Sequence, residues 1–162
     1  MTIQELVDEL KGSKYTSDDK KIEYLKKHLK TDYIVYEEKT RLCKQILLTA
    51  MFVKVDDKNI YKPNTPLKYE TTIFCYLQTY FEFDLNEEFL KDFNILEQNK
   101  ITELLLRAVG DDVNRFNTVL SMMEDDLVYD NSLVPYLETK VEAMDIMLNS
   151  LKNTLETINT SK

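Results

Sequence analysis

Few side chains in this chain could carry chemistry, and most of those are carboxylates. Glu87-Glu88, Asp111-Asp112 and Glu124-Asp125-Asp126 are runs of adjacent acids. Paired carboxylates can hold a divalent cation or act as general acid and base. Their spacing argues otherwise. Asp111 and Asp112 fall in the first turn of a helical segment, where the helix dipole already favours anions. Neighbouring residues on a helix do not face each other, so Glu124, Asp125 and Asp126 cannot close on one ion from one turn. Glu138, Glu142 and Asp145 follow helical spacing and form an ordinary solvated face. His28 is the only histidine and stands among lysines, with no nucleophile pattern beside it. It is expected to be a surface residue. Cys43 and Cys75, the only cysteines, sit in apolar runs and are expected to be buried small hydrophobes in a reducing compartment. Only Gly12 and Gly110 occur, so there is no glycine-rich phosphate loop. The expectation is a protein that is not an enzyme, with no catalytic residues, cofactor, metal or small-molecule substrate. A metal-dependent hydrolase built on Asp125 and Asp126 is the enzymatic rival.

The elements that carry these residues are those of one helical domain. A chain of 162 residues with 43% hydrophobic and 31% charged residues can bury a real core. Two glycines and three prolines are too few for a turn-rich sheet protein. Net charge is −8, with the lysines concentrated early and the acids late. A surface of that sign disfavours nucleic acid, which needs a basic footprint. The one basic cluster, KKIEYLKKHLK at 20–30, reads as the solvated face of a helix. No stretch approaches the roughly 18 apolar residues of a membrane span, and the first residues lack the pattern of a signal peptide. A cytoplasmic protein is expected.

Along the chain, Thr2 to Glu5 forms a capping box ahead of Ile3, Leu6, Val7 and Leu10. A second helix opens at Ser17. Residues 31–36, TDYIVY, are a connector too short to assign. A strong helix over 37–52 places Leu42, Cys43, Ile46, Leu47, Ala50 and Met51 on one face. Residues 53–61 then read as a small β-hairpin turning at Asp56-Asp57-Lys58-Asn59. Thr65-Pro66 starts an aromatic helix that is apolar nearly all round, the sign of a central position. Further helices follow, one capped near Asn86 and one ended by Gly110. The predicted fold is all-α, with about six or seven helices and one short hairpin. Residues 1–131 make a helical body and 132–162 a C-terminal amphipathic helix.

That last helix has the most regular pattern of all. Val134, Val141, Leu148 and Leu155 occupy position a of a heptad, and Leu137, Met144, Leu151 and Ile158 occupy position d. A period of 3.5 residues held for three and a half heptads is the signature of a coiled-coil seam. Ile146 and Met147 add apolar surface that widens the stripe toward a bundle-packing face. Glu138, Asp145 and Lys152 at e, with Lys140, Met147 and Thr154 at g, give weak flanking electrostatics. Two destinations stay open: the helix packs on its own body, or on a neighbouring subunit. The seam residues are the candidate contact residues, while Tyr76, Tyr80 and Phe81 are either core residues of the central helix, the reading preferred here, or aromatic anchors.

Three stretches carry a family resemblance: IEYLKKHLKTDYIVYEEKTRLCKQIL, the turn YKPNTPLKY before the aromatic helix, and LVPYLETKVEAMDIMLNSLKNTLETI. In overall order and composition they resemble small acidic helical virion and assembly proteins of phages and prophages of low-GC Gram-positive bacteria. The resemblance implies a phage structural or morphogenesis protein, either a neck or connector subunit or a tail-assembly factor. Its partners would be itself, as a homo-oligomer, and other virion proteins. The alternative is a small acidic inhibitor or anti-defence protein that binds a basic host surface through its acidic C-terminal half.

Overall fold

The fold is all-α with a single hairpin, as the pattern predicts. In the computed structural model the backbone is described for residues 1–160, and the side chains for all of these except 133–135 and 154–160. Two compact units are present, Met1–Met123 and Glu124–Lys162. The division falls inside a helix, a few residues after Leu120, the last buried residue that helix contributes.

The first unit contains α1 (Ile3–Leu10), α2 (Asp18–Lys26), α3 (Tyr36–Met51), β1 (Phe52–Val55), β2 (Lys58–Tyr61), α4 (Thr65–Tyr80), α5 (Phe89–Gln98), α6 (Thr102–Val109) and most of α7 (Asp111–Asp130). α8 (Leu133–Thr160) belongs to the second unit. Eight helices are thus formed among the described residues, where about six or seven are expected from the sequence. Caps set several starts. Thr2 Oγ1 accepts from the Glu5 N–H while Glu5 reaches back to the Thr2 N–H, the reciprocal box expected from the sequence. Asn64 accepts from the Leu67 N–H at 3.1 Å ahead of Pro66, in the first turn of α4. Near 86 the arrangement differs from a simple cap. Asn86 lies before the helix, its N–H donating to Asp92 Oδ2 at 2.6 Å. α5 itself begins only at Phe89. Gly110, at φ +86°, makes the turn between α6 and α7 in a backbone region costly for a residue with a Cβ.

α3 packs along α4, α2 against α6, and both α1 and α4 against α5. The core takes Ile3, Leu6, Val7 and Leu10 from α1, the expected face of α3, and Phe116 and Leu120 from α7. Tyr76, Tyr80 and Phe81 are 3%, 0% and 1% exposed, so the aromatic helix is central. The hairpin pairs Phe52 with Tyr61 and Val55 with Lys58, closing on Asp56 (φ 48°) and Asp57 (φ 61°). Two left-handed residues in succession match the type I′ turn that suits the twist of a hairpin. Aspartate tolerates that region better than most residues, and glycine better still.

One polar cluster lies inside this core. Lys39 and Asp112, each 4% exposed at the side chain, form an ion pair at 2.7 Å. Asp112 Oδ2 also accepts from the Ile34 N–H at 2.9 Å and from the Tyr80 hydroxyl at 2.8 Å. Lys39 Nζ donates to the Ile34 carbonyl and sits 4.3 Å from the centre of the Tyr33 ring. Burial works against the Asp112 carboxylate. The hydrogen bonds from Lys39, Ile34 and Tyr80 outweigh it and hold its pKa below the ordinary value. Asp112 does stand in the first turn of a helix, as its position suggests. In the structure it is the anion that fixes the core.

Two outcomes follow for chemical denaturation. Asp112→Ala leaves the Lys39 ammonium buried without its anion and should lower stability by about 3–5 kcal/mol, read as a lower urea midpoint. Because the folded pKa of Asp112 is depressed, its contribution is full above about pH 4 and fades as pH falls through the folded value. Asp57→Gly should raise stability by about 0.5–1 kcal/mol by relieving a left-handed residue with a Cβ, since the exposed Lys54–Asp57 pair it removes is worth little.

Candidate functional site

The described side chains of α8 face solvent. It runs 28 residues, about 42 Å at 1.5 Å per residue. Every described side chain from Tyr136 to Asn153 is exposed. On the seam, Leu137, Val141, Met144, Leu148 and Leu151 are 52–63% exposed, whereas the apolar residues of α1 are at most 3% exposed. The side chains of Val134, Leu155 and Ile158, three of the eight expected seam residues, lie outside the described residues. Large apolar side chains left in water at regular spacing mark an interaction surface.

The helix geometry sorts the flanking residues. Met147 lies next to Leu148 on the rim of the stripe. Ile146 stands about 200° round the helix from Leu148, on the side opposite the seam. It therefore does not widen the stripe, contrary to the sequence reading. Two contacts are formed at the N-terminal end of α8. Tyr129 donates to Glu138 Oε2 at 3.3 Å, and Lys140 rests 5.3 Å from the centre of the Tyr136 ring.

The three aromatic anchors are not on this surface. The Tyr76 hydroxyl donates to Asn117 Oδ1 at 2.6 Å and its ring meets Phe116 edge-on at 5.0 Å. Tyr80 donates to Asp112, and Phe81 stacks on Phe83 at 5.2 Å. All three are core residues, because the nearly uniform apolar circumference of α4 is consumed by its neighbours. Burial raises the pKa of both tyrosine hydroxyls, Tyr80 being raised further by its bond to Asp112. The thiols behave alike. Desolvation pushes Cys43 up to about 12 and Cys75 up to about 11, so both are protonated and unreactive at neutral pH.

His28 departs from the surface position expected for it. It is half-buried at the end of α2, its ring 5.0 Å from Tyr24 and 5.9 Å from Phe83. Its carbonyl accepts from the Glu82 N–H at 3.0 Å, tying the end of α2 to the segment after α4. Desolvation lowers its pKa. The basic cluster around it is exposed at Lys20, Lys27 and Lys30. Lys20 and Lys27 join Lys14 around Tyr15 and Tyr24 in a shallow depression of about 300 Å³. Among the described residues no three His, Cys, Asp or Glu side chains are placed to share a metal ion. No helix of the described chain is long and apolar enough to cross a membrane.

A cleft of about 720 Å³ lies beside α4. Phe74, Phe83, Leu85 and Phe89 give it an apolar lining, with Glu70 and Glu87 among its polar residues. Lys30, Thr49 and Thr71 add to its polar side.

No family model matches this chain, and no curated protein or solved structure matches it at a significant level. The candidate site thus rests on the exposed seam of α8 alone. Since His28 is the only histidine, its titration can be read directly by proton NMR. Its single imidazole Cε1 proton should titrate with a midpoint below the ordinary value of about 6.5. A midpoint at or above that value would mean that the Glu82 carboxylate outweighs the desolvation of the ring.

Proposed function

We propose that the protein is a non-enzymatic assembly protein that works by oligomerising through the exposed face of α8. A phage structural or morphogenesis protein, such as a neck or connector subunit or a tail-assembly factor, is the role that best unites this surface with the resemblance of the three stretches above. The observation that carries the reading is the exposure of Leu137, Val141, Met144, Leu148 and Leu151 in one heptad-spaced row. Burying a leucine-sized side chain contributes about 1.5–3 kcal/mol, so a row of five left in water is a large unspent driving force for association. The rest of the chain supports a contact protein more than a catalyst. Its thiols are desolvated, its histidine is packed between aromatic rings, and of its buried carboxylates Asp112 is bound to Lys39 and Asp92 accepts from the Asn86 N–H.

Solution mass is the test, measured by light scattering behind size exclusion. Full-length protein is expected as a defined oligomer of 19.2 kDa chains. Leu148→Asp, which puts a charge in the middle of the row, should give folded monomer with an unchanged thermal transition for the first unit. A chain ending at Asn131 should behave in the same way. A full-length monomer would remove the oligomerisation reading. If that monomer instead captured a basic protein in a salt-sensitive manner, the acidic inhibitor reading would take its place.

A further inference from the structure

We infer that the occupant of the α8 seam is the α8 of a second copy, running parallel and in register as a two-stranded coiled coil. This rests on the oligomerisation reading above and specifies its partner, strand number and direction. The α8 pattern has the 3.5-residue period of a supercoiled pair, whereas a helix lying on a globular surface follows its own 3.6-residue period. The exposed core positions are Val141 and Leu148 at a, with Leu137, Met144 and Leu151 at d. Val141 at a with Leu137 at d is the combination that suits a two-stranded parallel pair, while Leu148 at a adds no such preference, so the flanking charges decide the direction.

The flanking charges select the same direction. In a parallel, in-register pair each g residue lies beside the e residue five places further along the partner. Lys140 then meets Asp145 of the second copy, and the two-fold symmetry makes this contact twice. Met147 meets Lys152 of the second copy, where an apolar side chain can cover the lysine stem without opposing its charge. No like charges meet among the described e and g residues. An antiparallel pair centred between Met144 and Leu148 matches e with e and g with g. Glu138 would still meet Lys152, but Asp145 would face its own copy across the axis. The parallel arrangement keeps two attractions and avoids that repulsion. Both chains then enter the pair from the same end.

Engineered disulfides in the full-length protein read the direction directly. Residues facing each other across a parallel seam fall within the Cα separation a disulfide spans, whereas residues 141 and 151 of such a pair are more than a turn of helix apart. Cys43 and Cys75 are buried and serve as silent background, checked with the unsubstituted chain. Val141→Cys alone and Leu151→Cys alone should each oxidise to a covalent dimer in high yield. A refolded mixture of the two, one carrying a size tag, should give almost no mixed dimer. The solution mass should be that of two chains. Lys140→Glu should weaken association roughly tenfold, and Lys140→Glu with Asp145→Lys should restore it, because the swap re-forms both contacts.

Mixed dimer without self-linked dimer would establish an antiparallel pair and overturn the inference while leaving α8 self-association intact. A mass of three or four chains would overturn the two-stranded assignment. No covalent dimer in any arm would mean that α8 does not meet a second copy, and the oligomerisation reading would fall with it.

Discussion

The constraint on which the first unit depends is the satisfaction of one buried carboxylate. Asp112 comes at the start of α7, Lys39 near the start of α3, Tyr80 at the end of α4, and Ile34 from the connector between α2 and α3. Three regions distant in sequence, 34–39, Tyr80 and Asp112, are thus held at one point. A buried ion pair is not a large source of net stability, since desolvating two charges offsets most of their attraction. Its effect is on specificity. A different register of α3 against α4 or α7 would leave a charge unpaired inside the core, and that penalty is severe. Among the described residues every buried side-chain nitrogen and oxygen has a partner, so no such penalty is being carried.

The same cluster explains the connector at 31–36. Its β-branched and aromatic residues favour extended backbone, yet it pairs with no strand. Ile34 directs its N–H to Asp112 and its carbonyl to Lys39, so the backbone groups a ladder would have used are taken by side chains. Ile34 itself is buried while Tyr33, Val35 and Tyr36 are exposed. The segment works as a strap whose geometry is set by two charged side chains.

The two units place their apolar residues in opposite ways. In Met1–Met123 the apolar faces of the helices are covered by one another, and even the hydroxyls of Tyr76 and Tyr80 end on partners within the core. In the described part of α8 a row just as regular stays in water. The first arrangement is what folding a single chain requires. The second makes sense when the missing contact is intermolecular, because an apolar row of that length costs solubility unless something covers it.

How much of this could be read in advance depends on whether the signal is local. The sequence alone determined the helices α1, α3 and α4, the hairpin, the capping box at Thr2 and Glu5, and the apolar faces. All of these follow from periodicity, cap chemistry and turn residues within a few positions of each other. It also contained a trace of the buried pair that the reading passed over. Lys39 is in phase with Leu42, Cys43 and Ile46, and Asp112 with Phe116 and Leu120. A charge on an apolar face needs an opposite partner, but nothing local says which helix supplies it. The packing of His28 between Tyr24 and Phe83 was hidden for the same reason, as Phe83 arrives from beyond α4. Tertiary structure alone decided that Tyr76, Tyr80 and Phe81 are core and that the described α8 row is exposed. A helical pattern shows which residues share a face. What covers that face depends on the path of the whole chain, because burial is a property of neighbours in space.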